Sequence, residues 1–279
     1  MTAGVVLADG LHMPESIRWR NGEIWFVDGP AIRVISADGV LRTHVETECP
    51  LLLGIAFEPE GALLTNDAVG RHVLRIGQDR SVSVVADLSA HGSGMINEVA
   101  LLADGSLVVG DIGFDVLGGE APRDLQLIHI APNGKISRQG TPLFFANGMG
   151  VSDDGWTLFV AEYIGGAIWR YRLKGDGGLD AGVRIASGLG NGVDGIALSP
   201  DGTLWYANME GGELVHLSAD GKAIGRIDSG YGHASSVAVS GDEHALHATV
   251  LAALPAPGLS AQTGAVVRIA LDTSKAEGV

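Results

Sequence analysis

A pattern of two short apolar runs joined by a turn recurs six times along the chain. The copies begin at Glu15, Leu53, Asn97, Asn147, Asp194 and Ser235. Repeats spaced by roughly 40 to 50 residues are typical of propeller blades, each of which contains four strands. The sequence therefore predicts an all-β fold, a six-bladed β-propeller with four antiparallel strands per blade.

A second pair of strand-like runs completes each repeat, and it ends in similar ways, as in "AIRVISADG" and "ELVHLSADG". A helical solenoid fits poorly, because the runs are short, alternate with period two and are interrupted by Gly and Asp. The first segment, "GVVLADG", is predicted to supply the outer strand of the last blade and so to close the ring. Residues 1–279 are expected to form a single domain.

Composition restricts the classes of function. The net charge of −15 argues against nucleic acid or an anionic membrane as a partner, because both require clustered Lys and Arg. Cys49 is the only cysteine, which excludes an internal disulfide and a cysteine-based metal site. The start of the sequence does not resemble a signal peptide, and apolar runs stay well below about 18 residues. A cytoplasmic protein is therefore expected; the oligomeric state is left open.

The residues that open the six first strands are mostly polar. The first strand of a propeller blade is the innermost, so these residues are expected to converge on the central axis. Glu15 and Asp194 would balance a divalent charge, and Asn147 would add a neutral oxygen. Such oxygens suit Ca²⁺, Mg²⁺ or Mn²⁺, and carboxylates also bind Zn²⁺. The alternative is that these side chains simply bind water at the channel mouth.

Several segments resemble the gluconolactonase, regucalcin (senescence marker protein) and luciferin-regenerating enzyme family. "PES" at 14–16, "NGMGVSDDGWTLFVAE" from Asn147 and "VDGIALSPDGTLW" from Val193 look like its metal-site segments, and they occur in the family's order. "INEVALLADGSLVVGDIGFDVLGG", from residue 96, looks like its substrate-contact segment. The resemblance implies a six-bladed propeller with one divalent cation held by Glu15, Asn147 and Asp194. It also implies that Asn97 contacts the substrate or approaches the metal.

Two positions depart from the family pattern. Glu98 stands where the family often has Asp, and Met95 stands where sugar-lactone members carry Arg. A methionine side chain cannot form the forked hydrogen bonds that arginine makes to hydroxyls or a carboxylate. We therefore expect lactones with apolar substituents to be accepted at least as well as gluconolactone.

Further candidates lie where second strands end. The insertion 112–124, "IGFDVLGGEAPRD", is expected to lie over the pocket, where Phe114 and Leu117 would exclude water; an ordinary surface loop is the alternative. Glu162 is a candidate substrate contact, with hydrogen bonding at the strand end as the alternative. The same two interpretations apply to Asp67, Asp111 and Asn208, whereas His91 and His233 precede inner strands and are weaker candidates.

The resemblance points to hydrolysis of a small lactone or ester, and the residues are compatible with this chemistry. The cation would polarise the carbonyl, and Asp194 would take a proton from water, with Glu98 or Glu162 as alternative bases. Ca, Zn, Mn, Mg and Fe all remain open as the resident cation. Other metal-assisted reactions, such as phosphotriester hydrolysis or cyclisation, and a non-catalytic cation- or ligand-binding propeller are the alternatives.

Overall fold

The computed structural model describes residues 4–91, 94–116, 118–254 and 262–271. Within these ranges the chain forms six four-stranded antiparallel sheets and no helix. The structure confirms the predicted six-bladed propeller with four antiparallel strands per blade. None of the described segments is a helix long and apolar enough to cross a membrane.

The strands are numbered in chain order. The first three blades consist of β2 Pro14–Arg20, β3 Glu23–Asp28, β4 Ala31–Ile35 and β5 Leu41–Glu46; β6 Leu52–Phe57, β7 Leu63–Asp67, β8 His72–Ile76 and β9 Val82–Asp87; and β10 Ile96–Leu101, β11 Leu107–Asp111, β12 Asp124–Ile130 and β13 Ile136–Phe144. The other three consist of β14 Ala146–Val151, β15 Thr157–Glu162, β16 Ala167–Arg172 and β17 Val183–Ser187; β18 Val193–Leu198, β19 Leu204–Asn208, β20 Glu213–Leu217 and β21 Ala223–Asp228; and β22 His233–Val239, β23 Ala245–Leu251, β24 Gly264–Ala270 and the N-terminal strand β1 Val5–Leu11.

The first strands of the six blades form the inner ring. Strands β2, β6, β10, β14, β18 and β22 each pack against the next, and β22 returns to β2. The last sheet has the order β1-β24-β23-β22, so the N-terminal strand is its outer strand, as the sequence predicted. Pairing of β1 with β24 places the N-terminal strand in the same blade as the last three strands of the chain and so closes the ring.

Asp-Gly turns link the first and second strands of the third, fourth and fifth blades. In the third blade, Asp104 Oδ1 accepts a hydrogen bond from Ser106 N at 2.9 Å, and Gly105 has φ of +81°. The fifth blade repeats this arrangement, with Asp201 Oδ1 accepting from Thr203 N at 2.9 Å. The aspartate holds the turn and the glycine adopts its left-handed conformation without steric cost, so both residues serve the hairpin.

The hydrophobic core lies between neighbouring blades rather than in the channel. Between the third and fourth blades, Val108 and Leu127 pack with Met149, Leu158 and Trp169, all buried. Similar clusters fill the other spaces between blades. This packing fixes each blade against its neighbours and leaves the inner strand starts free to carry polar side chains.

Candidate active site

The inner strands are irregular where the polar ring begins. In the third, fourth and fifth blades the register with the second strand shifts between Ile96 and Val99, between Ala146 and Met149, and between Val193 and Ile196. Each shift encloses two residues: Asn97-Glu98, Asn147-Gly148 and Asp194-Gly195. A bulge of this kind re-aims side chains at the end of a strand. Two consecutive residues in each of these blades can therefore lie close to the channel axis.

The second of these positions is small in five of the six blades. The residues there are Ser16, Gly54, Glu98, Gly148, Gly195 and Ser236. A Cβ atom on Gly148 would lie 2.4 Å from Asp194 O, and one on Gly195 would lie 2.4 Å from Ser236 Oγ. Glycine thus allows β14, β18 and β22 to approach closely. This approach brings Asn147 and Asp194 side by side.

Glu15 and Asp194 form a pair of buried carboxylates. They are 8% and 2% exposed. Burial and the Glu98 carboxylate raise the pKa of Glu15 to about 8. Burial, Glu15 and Glu98 raise the pKa of Asp194, while its own Gly195 amide and the Asn147 side chain favour its charged form. The two groups therefore share one electrostatic environment, in which Arg18, the backbone amides and Asn147 offset the negative charge only in part.

Asp194 also has an unsatisfied acceptor. Its Oδ1 atom is buried and has no hydrogen-bond partner in the part of the chain that the structure describes. A buried carboxylate oxygen without a donor is costly, so it points to a ligand that supplies positive charge or a proton. The donor set of Glu15, Asn147 and Asp194 is chemically suited to a divalent cation. Those residues contain only two carboxylates, and among the described residues no group of three or more His, Cys, Asp or Glu is arranged to hold a metal.

Glu98 is the one long side chain in its layer of the channel, and its carboxylate is already engaged. Oε2 lies 2.9 Å from Arg18 Nη2 and accepts from Ser16 Oγ at 3.1 Å. Oε1 accepts from Ile55 N at 3.1 Å. Through these contacts Glu98 connects the third blade to the first and second blades. Its roles in substrate binding and as an alternative base stay predictions.

Asn97 and Met95 lie at the start of β10. Asn97 is 7% exposed, and its carbonyl oxygen accepts a hydrogen bond from Asn66 Nδ2. Met95 packs with Met13 against a small apolar cluster of Leu51, Leu53 and Ala68. One side of the ring is therefore apolar, and Met95 belongs to it. Whether these two residues contact substrate is a prediction.

A clasp of two arginines and one aspartate holds the segment before β10. Arg71 donates to Leu88 O at 3.3 Å and to Gly94 O, and Arg138 Nε donates to His91 O at 3.1 Å. Asp111, 1% exposed, lies between both guanidinium groups. Because the clasp fixes the backbone on both sides of residues 92–93, it sets the position from which Met95 and Asn97 enter the ring.

Aromatic residues form a second wall of the site. Phe114 is buried and meets Phe145 edge to face, with ring centroids 6.2 Å apart. Phe145 in turn stacks on Tyr163 at 4.9 Å. Neither Phe145 nor Tyr163 stood out in the sequence, because neither falls on the repeated pattern. Leu117, the other residue expected in this loop, lies outside the described residues.

Glu162 sits between blades. Its Oε1 accepts from Phe144 N at 2.9 Å, and its Oε2 accepts from Trp169 Nε1 at 2.7 Å. Glu162 therefore makes the strand-end hydrogen bonds that were the alternative interpretation of this residue. These bonds fix the backbone at Phe144, just before β14. A substrate contact by Glu162 stays a prediction.

The other polar candidates also have protein partners. Asp67 Oδ1 accepts from Gly70 N at 2.9 Å and Asn208 Oδ1 accepts from Gly211 N at 3.0 Å. His233 Nδ1 is 2.8 Å from Met209 O, whereas the His91 side chain is exposed. These contacts stabilise turns around the ring.

Comparison with known proteins places this architecture in a family. The SMP-30/Gluconolactonase/LRE-like region matches residues 13–251. The chain belongs to this family. The resemblance inferred from the ring segments is thereby confirmed, and the protein is a propeller of a lactonase family.

Relatives and solved structures agree with this assignment. A pentonolactonase from Haloferax volcanii is 26% identical over 256 residues, covering 87% of this chain and 82% of the relative. A calcium-binding regucalcin from Agrobacterium tumefaciens has a TM-score of 0.77 at 19% identity, covering 96% and 93% of the two chains. A gluconolactonase from Xanthomonas campestris has a TM-score of 0.76 at 18% identity, covering 96% and 89%. At such identities the solved structures show the shared fold.

The close approach of β14 and β18 can be tested at Gly148. In Gly148→Ala the new methyl group must displace the Asp194 backbone, so we expect a loss of roughly 1–3 kcal/mol in unfolding free energy, as for an overpacked core. Gly175→Ala is the control, because a Cβ there meets nothing within 4 Å. Chemical denaturation measures both variants. Equal stability of the two would show that the inner strands tolerate a wider spacing.

Proposed function

We propose that this protein is a metal-dependent hydrolase that opens the ring of a small lactone. The observation that carries the proposal is the buried pair of Glu15 and Asp194 at the channel axis, with Asn147 beside it and Asp194 Oδ1 unpartnered. Two buried carboxylates with raised pKa are unfavourable in isolation, and a divalent cation would relieve that cost. Membership of a lactonase family and the distant pentonolactonase support lactones as the substrate class.

Glu15, Asn147 and Asp194 are the residues that would hold the cation. When bound, it would supply Lewis-acid polarisation of the ester carbonyl and stabilise the negative charge that develops on that oxygen. Asp194 offers a carboxylate oxygen free of protein donors, so it is the best-placed group to take a proton from an attacking water. Asn97, at the matching position of β10, which neighbours the strand of Asn147, would offer an amide to orient the ester.

The surroundings of the ring favour an apolar substrate. Met95, Met13, Leu51 and Leu53 form one side, and the aromatic residues around Phe145 form another. Burial of apolar substituents against such walls would make substrate binding more favourable. Sugar hydroxyls would lose hydrogen bonds to water there, which would weaken binding. We therefore place the substrate among lactones with aliphatic or aromatic substituents.

The cation site is tested by changing one charge at constant shape. Glu15→Gln should bind divalent cations at least tenfold more weakly, because an isosteric amide removes one of two negative charges, a difference of about 1.4 kcal/mol or more. Metal analysis and calorimetric titration measure this. Glu46→Gln, at an exposed carboxylate on the outer strand β5, is the matched control. Unchanged affinity in Glu15→Gln would rule out this set of ligands.

The role of Asp194 as base is tested at saturating cation. Asp194→Asn should lose kcat by about 10²–10⁴-fold even with full metal occupancy, because the amide retains an oxygen but cannot accept the proton. Asn97→Ala should instead raise KM more than it lowers kcat. Near-normal kcat in metal-saturated Asp194→Asn would move the base to Glu98 or Glu162.

Substrate preference is tested by comparing initial rates on gluconolactone and on alkyl-substituted lactones in a pH-stat. We expect kcat/KM for the apolar lactones to equal or exceed that for gluconolactone. Met95→Arg should shift the ratio toward gluconolactone, because a guanidinium can donate forked hydrogen bonds to hydroxyls. A preference of the unchanged protein for polyhydroxylated lactones by about a hundredfold, or about 2.7 kcal/mol, would contradict the apolar assignment.

A further inference from the structure

Tyr163 occupies a position between the two segments that deliver Asn147 and Asp194. It is the first residue after β15. Its amide donates to Phe145 O at 3.0 Å, and its carbonyl accepts from Gly192 N at 3.0 Å. Phe145 and Gly192 each lie two residues before a member of the ring. The backbone of Tyr163 is therefore fixed to both approaches to the site.

The ring of Tyr163 is held by aromatic contacts. It stacks on Phe145 with an interplanar angle of 23°, and Phe145 is itself braced edge to face by Phe114 at 82°. Phe145 has φ of +63°, a conformation that a bulky residue adopts only when its surroundings enforce it. Stacked rings with such restraints have few alternative rotamers, so the direction of the Tyr163 side chain is set before any ligand arrives.

The hydroxyl of Tyr163 is free to contact a ligand. Among the described residues it has no hydrogen-bond partner, and the side chain is only half-buried. Asp194 and Glu15 lie near enough, together with Glu210, to add to the effect of burial in raising the pKa of the phenol. A phenol with its ordinary pKa of about 10 is already protonated at neutral pH, so the group is a neutral donor beside these carboxylates.

Lactone hydrolysis needs such a donor. In the proposed reaction the water oxygen bonds to the carbonyl carbon, and one water proton goes to Asp194. The bond from that carbon to the ring oxygen then breaks, its electron pair stays on the ring oxygen, and Asp194 returns the proton to that oxygen to give the free hydroxyl. As the bond breaks, negative charge develops on the ring oxygen, where a carboxylate would repel it and a fixed hydroxyl would stabilise it. Glu15 and Glu98 can only accept hydrogen bonds when ionised, and Asp194 becomes a donor only after it has taken the proton from water.

We propose that Tyr163 is a catalytic residue that donates a hydrogen bond from its hydroxyl to the departing ring oxygen of the lactone. The inference rests on the proposed function, since it concerns the same site and reaction. Phe145 acts as a positioning residue that holds the phenol in this direction.

The test compares two leaving groups. Tyr163→Phe keeps the stacked ring and removes only the hydroxyl. With δ-valerolactone, whose leaving group is an alkoxide, we expect kcat to fall by about 10- to 100-fold, comparable to or below the loss of one oxyanion donor. With dihydrocoumarin, whose phenolate leaving group delocalises its own charge, the loss should stay within about threefold because little stabilisation is needed. Tyr231→Phe, at another half-buried tyrosine, is the matched control.

Two further measurements separate the possible causes. Phe145→Leu keeps the hydroxyl but frees the ring, so it should show a smaller loss with the same dependence on leaving group. Thermal unfolding and cation titration of Tyr163→Phe should match the unchanged protein, because this change leaves the ring packing and the proposed cation ligands intact. Phe145→Leu removes two ring contacts and should unfold at a lower temperature, with unchanged cation affinity. Equal losses on both lactones, or none on δ-valerolactone, would overturn the assignment.

The proposed function and the Tyr163 contact fail in different ways. If the unchanged protein hydrolyses neither lactone at saturating cation, lactone hydrolysis is refuted, and the intact lactones then serve as stable ligands in calorimetry. In that case weaker binding of δ-valerolactone to Tyr163→Phe would support the hydroxyl contact alone. Equal binding by the two proteins would overturn that contact as well.

Discussion

Six inner strands converge on one axis, and the limited space there governs the rest of the site. Small residues at five of six positions let β14, β18 and β22 approach until a single methyl group on Gly148 would collide with Asp194 O. Glu98 alone extends across this layer, where it pairs with Arg18 and accepts from Ser16 and the β6 backbone. One carboxylate with several partners thus connects three blades at this layer of the channel.

The buried carboxylates near the axis differ in how well the fold compensates their charge. Glu98 has an arginine and several donors, so its charge is compensated within the fold. Glu15 and Asp194 are also buried but have no comparable cation. Burial and the Glu98 carboxylate raise the pKa of both groups, and Glu15 adds to the rise for Asp194. Carboxylates kept in such an arrangement are typical of sites completed by a ligand, since the fold alone does not offset their desolvation.

Apolar and aromatic side chains surround the ring, and ion pairs and hydrogen bonds fix the backbone segments that carry them. The Arg71–Asp111–Arg138 clasp fixes the approach to Met95 and Asn97, and Glu162 fixes Phe144, next to Phe145. Buried ion pairs of this type contribute little net stability, but removing one partner is costly, which suits them to defining a single backbone conformation. The residues proposed to contact the substrate are therefore positioned by ion pairs and hydrogen bonds outside the proposed contact surface.

The sequence by itself determined the repeated hairpins, the six blades, the closing N-terminal strand and the polar residues near the start of the inner strands, each of which begins one or two residues earlier than the sequence predicted. All of these follow from local rules: period-two alternation, tight turns with Gly, Asp or Asn, and a repeat length typical of propeller blades. The tertiary structure decided which polar residues stay unpartnered. Glu98, Glu162 and Asp194 look alike as acidic residues near strand ends, yet the first two receive donors from other blades or strands and Asp194 Oδ1 does not. The position of Tyr163 beside the ring depends on hydrogen bonds to Phe145 and Gly192 and on stacking with Phe145. Both residues are far from Tyr163 along the chain. Such partners come from packing between strands far apart along the chain, which no local pattern encodes.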